Sequence, residues 1–241
     1  MPDQLAPVVK TPVTAPVFTR AVIDAWAAVD DSGDDAPKSA VGILFAHYMI
    51  ETGGLNCFGW NIGNVKYTPG CGFNYHCLHG VWEGATAFTA NELVVAGQAV
   101  IDPNASHQKS CAPLVSVVFN PPHPATRFVA YPSLSDAMGA HLFLLCKKRY
   151  ATAWPALLAG DVMAFAAALR ARGYMTSSAE SYGNGMMPPF KHFMTSGEYE
   201  AAILAKTKDV TEPIYEFSGG IIHPDVEFEP VVYTPDSEDI S

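Results

Sequence analysis

A single carboxylate, Glu51, marks the point where a helical sequence pattern gives way to glycine, asparagine and aromatic residues, in the stretch HYMIETGGLNCFGWNIGNVKY. Glu51 falls on the same predicted helix face as Leu44 and Tyr48, at the three- and four-residue spacing of a helix. We therefore expect its carboxyl group to point toward packed surface, where desolvation raises its pKa. An acid that stays protonated near neutral pH is what glycosidic bond cleavage requires. The alternative is an exposed glutamate in the last turn of a helix.

The loop after Glu51 combines aromatic rings with amide side chains. The aromatic residues are Phe58, Trp60, Tyr67, Phe73, Tyr75 and Trp82, and the asparagines among them are Asn56, Asn61, Asn64 and Asn74. Flat rings with a polar edge, beside amides that donate and accept hydrogen bonds, suit a sugar-binding groove. A small aromatic core beneath the loops is the alternative interpretation.

Three ordered stretches extend this pattern along the chain: AHYMIETGGLNCFGWNIGNVKY, RFVAYPSLSDAMGAHLFLL and ARGYMTSSAESYGNGM. Together they resemble the motifs of glycoside hydrolase family 73, the glucosaminidase domain of bacterial autolysins, flagellar rod-cap hydrolases and phage lysins. The resemblance covers residues 38–206. It implies a lysozyme-like domain that hydrolyses β-1,4 bonds between N-acetylglucosamine and N-acetylmuramic acid in the glycan strands of peptidoglycan, without a metal or cofactor.

The resemblance also assigns residues. Glu51 matches the catalytic acid, and Tyr182 matches the tyrosine that lines the family's site. The family's second acidic residue corresponds to Glu92 or Glu83, and Glu92 is preferred because its segment, NELVVAG, indicates an alternating strand that ends at a glycine turn. The predicted substrate-binding residues are Trp60, Asn61, Asn64, Tyr67, Trp82, Glu83 and Tyr174, with a structural role as the alternative for Tyr174.

The chemistry after proton donation stays open at the level of sequence. A separation of about 6.5 to 9.5 Å between the two carboxyl groups would indicate inversion, and about 5 to 5.5 Å would indicate retention. A larger gap would leave two routes: assistance by the substrate's N-acetyl group, or a lytic transglycosylase of the same fold, which needs no water. A muramidase of the same fold is a further alternative. A module that binds peptidoglycan without cleaving it is the alternative from another class.

Charge is concentrated at one end of the chain. Residues 209–241 hold nine Asp and Glu and no Lys or Arg, whereas the whole chain has a net charge of −10. The body is thus nearly neutral and lacks the basic stripe that nucleic-acid binding requires. No apolar run reaches the roughly 20 residues of a membrane span, and residues 1–16 do not resemble a signal peptide. We expect synthesis in the cytoplasm, then delivery to the cell wall by a phage apparatus or a contact-dependent secretion machine. The acidic tail would dock to that apparatus or to an inhibitory protein.

The five cysteines permit other readings of the same loop. Cys71, His76, Cys77 and His79 lie close together, but their spacing does not match a paired zinc motif, so a local disulfide or free thiols are preferred. Cys57 in LNCFGW resembles, superficially, the nucleophile of papain-like cell-wall peptidases. Such a thiol normally lies at a helix N-terminus, and the sequence after Cys57 does not indicate a helix.

These segments predict an α+β fold dominated by helices. Residues 1–16 form a proline-spaced arm, residues 17–206 the lysozyme-like domain, and residues 207–241 a non-helical acidic tail. The second helix is capped by Asp34 or Asp35 and ends at Gly53 and Gly54. Residues 56–124 form loops with one or two small β-hairpins. Later helices begin near Ser133, Pro155 and Asp161, and a last one covers residues 189–206.

Overall fold

The computed structural model describes residues 3–30, 34–175 and 177–209 of the 241-residue chain. Helices dominate this described part. They are α1 (Ala15–Trp26), α2 (Lys38–Glu51), α3 (Ala87–Val95), α4 (Ala105–Cys111), α5 (Leu134–Cys146), α6 (Trp154–Ala159), α7 (Val162–Ala171), α8 (Ala179–Thr195) and α9 (Glu198–Asp209). The strands are β1 (Lys10–Pro12), β2 (Asn56–Phe58), β3 (Asn74–Cys77), β4 (Trp82–Ala85), β5 (Ala99–Ile101), β6 (Val115–Phe119) and β7 (Arg127–Ala130). The predicted α+β fold with a dominant helical part is confirmed.

Helix α2 forms the centre of the helical body. Every residue from 40 to 48 is buried, as expected for a helix that is apolar on all sides and covered by neighbours. Helices α1, α6 and α8 pack against it. Gly42 allows the close approach of α8, because a Cβ atom there would lie 3.1 Å from the ring of Phe193. The central helix thereby fixes the position of its own last residue, Glu51.

Small antiparallel sheets occupy the segment between α2 and α5. Strand β3 pairs with β7, and β6 lies between β4 and β5 in a three-stranded sheet. The three-stranded sheet has its own small core, which includes Leu93, Val117 and Phe119. The segment therefore forms a minor lobe beside the helical body.

The N-terminal arm is tied to the loops of this segment. Strand β1 pairs antiparallel with β2, with Thr11 opposite Cys57. Farther toward the N-terminus, the backbone of Ala6 donates to Tyr75 at 2.7 Å, and Gly59 donates to Val9 at 2.9 Å. The arm thus closes one side of the loops that follow α2.

Local sequence signals predicted several helix ends correctly. Ser133 caps α5 by accepting from the backbone of Asp136, and Asp161 caps α7 in the same way. Gly160 ends α6 in the left-handed conformation, with φ of 71°. The predicted cap of α2 by Asp34 or Asp35 is wrong, because the helix begins after Pro37 without a side-chain cap.

Two predicted elements differ in the structure. Residues 92–95 of the segment ELVVAG belong to helix α3 rather than to a strand, because the Thr86 side chain accepts a hydrogen bond from the backbone of Thr89 and begins a helix. Ala96 and Gly97 form the turn that follows. The predicted last helix at residues 189–206 is two helices, α8 and α9, separated at Ser196 and Gly197, where Gly197 has φ of 75°. Helix α9 includes residues 207–209, and the rest of the predicted tail lies outside the described residues.

Candidate active site

Glu51 is half-buried between the end of α2, helix α8 and the loop formed by residues 59–65. Burial raises the pKa of Glu51 from 4.5 to about 7. Hydrogen bonds from Tyr182 and Asn64 oppose this rise and are weaker than the effect of burial. The C-terminal end of a helix also disfavours a negative charge. Glu51 is therefore an acid that holds its proton near neutral pH.

Tyr182 connects Glu51 to a buried histidine. Its hydroxyl donates to Glu51 Oε1 at 2.5 Å and lies 2.8 Å from His47 Nδ1. Burial raises the pKa of Tyr182 and lowers the pKa of His47 well below 6.5, so both side chains are neutral near pH 7. His47 and Glu51 are four residues apart on α2 and share one helix face.

A pocket of about 210 Å³ opens beside the Glu51 carboxyl group. Its lining residues are Glu51, Thr52, Asn56, Cys57, Phe58, Asn61, Asn64, His76, Leu78 and Phe128. They combine amide and hydroxyl groups with two phenyl rings, and Glu51 is the one carboxylate among them. The volume is below the usual range for a ligand pocket, about 300 to 1,000 Å³, so the pocket fits a small group or one unit of a longer ligand.

The loop that faces Glu51 is braced by its own side chains. Asn61 is buried, donates to the carbonyl of Val65 and accepts from the backbone N–H of Val65, each at 2.8 Å. Asn64 donates to the backbone carbonyl of Glu51. The loop is thereby held against the end of α2 by amide groups that sequence analysis assigned to substrate binding.

Tyr174 and Trp60 support the same loop from behind. The Tyr174 hydroxyl donates to the carbonyl of Gly63 at 2.9 Å, and its ring contacts His47 with a centroid distance of 5.0 Å. The Trp60 backbone donates to Thr11 Oγ1 at 2.9 Å, and its side chain packs against the main core. Neither residue lines the pocket, so these contacts favour supporting roles for both.

Two aromatic residues predicted to bind substrate lie away from the pocket lining. Tyr67 is buried, donates to Asp3 Oδ1 at 2.8 Å and stacks on Tyr75 with a centroid distance of 4.4 Å. Trp82 is on β4 and stacks on His107 at 4.0 Å. Part of the Trp82 ring remains exposed, with 38% of the residue accessible. Substrate binding by either ring remains a prediction.

The two candidates for a second acid have different surroundings. Glu83 lies on β4 and pairs with Lys66 at 3.0 Å. Lys66 Nζ in turn lies 4.2 Å from the ring centroid of Phe128, a pocket residue, so a chain of contacts joins Glu83 to the pocket wall. Glu92 is exposed on α3. Neither carboxylate lines the pocket.

Cys57 and His76 both line the pocket, which bears on the cysteine-peptidase alternative. Cys57 is buried on strand β2, and its thiol donates to the carbonyl of Thr11 at 3.1 Å. Burial raises the pKa of Cys57 and lowers that of His76. A nucleophilic thiol at a helix N-terminus has a lowered pKa and ionises readily, whereas the thiol of Cys57 lies on a strand and stays protonated. This environment favours a structural role for Cys57.

The structure contains no cluster of three or more His, Cys, Asp or Glu residues with metal-binding geometry in its described ranges. All five cysteines lie in the described ranges and form no disulfide there, and Cys57 and Cys71 are buried. No helix among the described residues is both long enough and apolar enough to span a bilayer.

Comparison with known proteins gives a distant structural likeness. The crystal structure of a peptidoglycan hydrolase from Sphingomonas sp. A1 matches with a TM-score of 0.38 and 21% identity, over 79% of this chain and 94% of that one. A mutant of that hydrolase matches with a TM-score of 0.38 and 19% identity, over 79% and 99% of the two chains. No protein-family model and no curated protein matches the chain. At such TM-scores a likeness establishes neither a shared family nor a shared activity.

The structure adds site residues that sequence analysis did not assign. His47 is the clearest, and its position four residues before Glu51 is a signal that the sequence contains. His76 and Phe128 enter the pocket through the pairing of β3 with β7, in which they are directly opposite. Nothing in the local sequence around either residue indicates this pairing.

Proposed function

We propose that this protein cleaves the glycan strands of peptidoglycan at β-1,4 bonds between N-acetylglucosamine and N-acetylmuramic acid, with Glu51 as the general acid of a lysozyme-like site. One observation carries the proposal. A glutamic acid with a pKa of about 7 opens onto a pocket of amide and aromatic groups, and a buried tyrosine donates a hydrogen bond to it. The three motif resemblances favour the same activity.

In the first step, protonated Glu51 donates its proton to the oxygen of the leaving sugar as the bond from that oxygen to the anomeric carbon breaks. Positive charge develops on the ring, and negative charge develops on the Glu51 carboxyl group. The Tyr182 hydroxyl already lies 2.5 Å from Oε1, so its hydrogen bond strengthens as the carboxylate forms. An interaction that is stronger in the transition state than in the ground state accelerates the reaction.

The second step is supported best as assistance by the substrate itself. The described pocket lining contains one carboxylate, whereas direct inversion or retention uses two. In the assisted route, the carbonyl oxygen of the substrate's N-acetyl group bonds to the anomeric carbon, and water then opens that intermediate. Asn56 and Asn64 border the pocket and carry amide groups of the kind that bind an acetamido group, whereas the Asn61 amide is bonded to Val65 through both of its polar atoms.

Participation of a second carboxylate remains a competing proposal, with Glu92 or Glu83 in that role. The contacts from Glu83 through Lys66 to Phe128 favour Glu83 over Glu92, because they connect Glu83 to a residue of the pocket wall. Activation of water by Glu83 would require the carboxylate to leave its ion pair with Lys66. Glu92 has no such connection among the described contacts.

A lytic transglycosylase is the second candidate function, and the single pocket carboxylate favours it as well. In that reaction the substrate's own hydroxyl attacks the anomeric carbon, so no water and no second acid are needed. The products differ: hydrolysis leaves a reducing end, and transglycosylation leaves a 1,6-anhydro end.

Mass spectrometry of fragments released from purified peptidoglycan tests these proposals. We expect fragments from the wild type and none from Glu51→Gln, and the chemistry of the new ends distinguishes hydrolysis at either sugar from transglycosylation. Glu83→Gln and Glu92→Gln are matched controls that remove one negative charge each. Full activity in both controls supports the assisted route. Binding of peptidoglycan without any fragments from the wild type would refute cleavage and support a binding module.

A further inference from the structure

His47 is a buried polar residue whose contact with Tyr182 the acid step leaves unexplained. It lies one helical turn before Glu51 on α2 and is completely inaccessible to solvent. Its Nδ1 atom is 2.8 Å from the Tyr182 hydroxyl, and its Nε2 atom has no hydrogen-bond partner among the described residues. A neutral imidazole carries its hydrogen on one of its two nitrogens, so the tautomer of His47 decides whether Nδ1 donates to Tyr182 or accepts from it.

The donation from Tyr182 to Glu51 determines the direction of the bond between His47 and Tyr182. A tyrosine hydroxyl has one hydrogen, and the Tyr182 hydroxyl uses it on Glu51 Oε1 at 2.5 Å. His47 Nδ1 must therefore donate its own hydrogen to the Tyr182 oxygen, which leaves Nε2 without a hydrogen. A buried acceptor without a partner is more common than a buried N–H without one, so this tautomer is also the less costly one for Nε2.

We propose that His47 is a positioning residue for the general acid: its Nδ1–H bond to Tyr182 directs the tyrosine hydrogen to Glu51 Oε1 and leaves the transferable proton on Oε2. This inference rests on the proposed role of Glu51. Without the imidazole donor, the Tyr182 oxygen is free to accept the Glu51 proton through Oε1, which turns that proton away from the substrate. With the imidazole donor present, His47 donates to Tyr182, and Tyr182 donates to Glu51.

The surrounding groups keep this arrangement neutral until Glu51 ionises. The ionisable side chains that face the three residues are Tyr48, Cys57, His76, His141, Tyr150 and Tyr174. Burial raises the pKa of each of these tyrosines and of the thiol, and lowers the pKa of both histidines. Among these six residues and the three that they face, Glu51 is the group whose charge changes near pH 7.

The tautomer of His47 is measurable without any substrate. Long-range ¹H–¹⁵N correlation spectra of protein labelled at histidine distinguish a nitrogen that carries a hydrogen from one that does not. We expect a hydrogen on Nδ1 and none on Nε2 at neutral pH. A hydrogen on Nε2 alone would overturn the proposal, because Nδ1 would then accept from Tyr182 instead of donating to it.

A matched pair of substitutions tests the consequence for Glu51. His47→Leu removes the donor, whereas His47→Asn has a similar shape and retains an N–H at the position of Nδ1. Loss of one donor to Tyr182 weakens the stabilisation of ionised Glu51. In His47→Leu we expect the pKa of Glu51 to rise by about 0.5 to 1 and kcat to fall roughly three- to tenfold, the range that one hydrogen bond supplies. In His47→Asn both values return toward the wild type.

Two further variants separate a positioning role from a structural one. In a Tyr182→Phe background, His47→Leu should have little additional effect on the pKa of Glu51, because the intermediate hydroxyl is gone. His141→Leu makes the same substitution in the same buried cluster, where the His47 and His141 rings are 5.7 Å apart. It breaks none of the hydrogen bonds that join His47, Tyr182 and Glu51. We expect that control to leave the pKa of Glu51 unchanged. It should change stability little, because leucine fills a similar volume and neither ring nitrogen of His141 has a hydrogen-bond partner among the described residues.

The pKa of Glu51 is followed by ¹³C NMR of its carboxyl group, and kcat by fragment release. Equal effects of His47→Leu and His47→Asn, or full additivity with Tyr182→Phe, would refute the positioning role. Failure of the proposed function gives a different result: the wild type releases no fragments, while the tautomer and the carboxyl titration still decide the role of His47.

Discussion

Replacement of Glu51 by glutamine should make the folded protein more stable at neutral pH while it abolishes cleavage. Glutamine has nearly the same size and can still accept the hydrogen bond from Tyr182, but it does not ionise. Burial raises the pKa of Glu51 from 4.5 to about 7, which means that the folded protein holds this proton more tightly than the unfolded chain does. Burial of Glu51 therefore costs the most free energy at pH values at which its carboxyl group is charged.

The dependence on pH has a definite sign. Near pH 4 the carboxyl group is mostly protonated in both states, and it contributes little to the free energy of unfolding. Between pH 4.5 and about 7 the unfolded chain releases a proton that the folded protein retains, so stability falls as pH rises. A rise in pKa from 4.5 to about 7 corresponds to about 3 kcal/mol at 1.36 kcal/mol per unit. This free-energy difference is an upper limit, because water reaches the open edge of the half-buried carboxyl group.

Urea unfolding of the wild type and Glu51→Gln at pH 4 and pH 8 measures the effect. We expect similar stabilities at pH 4 and a gain of up to about 3 kcal/mol for Glu51→Gln at pH 8, equivalent to roughly 6 to 12 °C in Tm. Glu92→Gln is the control, since its exposed side chain remains hydrated on folding. A gain of the same size at both pH values would refute the reasoning, because it would have to come from packing and not from ionisation.

Cleavage by the wild type should decline as pH rises through about 7, since only protonated Glu51 is an acid, and a rate that stays constant between about pH 6 and pH 9 would contradict this. Gly63→Ala should lower stability by about 1 to 3 kcal/mol and reduce cleavage, because its Cβ atom would lie 2.2 Å from the His141 ring. An unchanged Tm would show that the loop has room to move. Thr11→Val should lower stability by about 1 to 3 kcal/mol, because it leaves the Trp60 N–H without the partner it has at 2.9 Å. Thr11→Ser retains the hydroxyl, so equal losses in the two variants would contradict that explanation.

The parts of the site that one helix determines were predictable from sequence. The spacing of Leu44, Tyr48 and Glu51 predicted a shared face, and the structure places all three residues in the continuous helix α2 at that spacing. The helix ends at Ser133 and Asp161 were also predictable, because a cap depends on residues three positions apart.

Features that depend on distant partners were not predictable in this way. His47 is visible at its four-residue spacing from Glu51, but its hydrogen-bond partner Tyr182 is 135 residues away. His76 reaches the pocket wall through pairing with β7, more than fifty residues later in the chain. The short apolar segment ELVVAG fits a strand or a helix by periodicity alone, and the Thr86 cap decides for the helix.

The site depends on the N-terminal arm for support on one side. Residues 3–13 hold the loops after α2 through backbone bonds to Leu55, Gly59, Phe73 and Tyr75, so one side of the cleft depends on a strip of chain that begins far from Glu51 in sequence. The exposed positions within this strip, such as Val8 and Val9, are open to a protease. A cut between Val8 and Val9 would detach residues 3–8, which bond to the backbone of Phe73 and Tyr75, without touching any residue that lines the pocket. The cleft therefore depends on the continuity of a segment that contributes no residue to its lining.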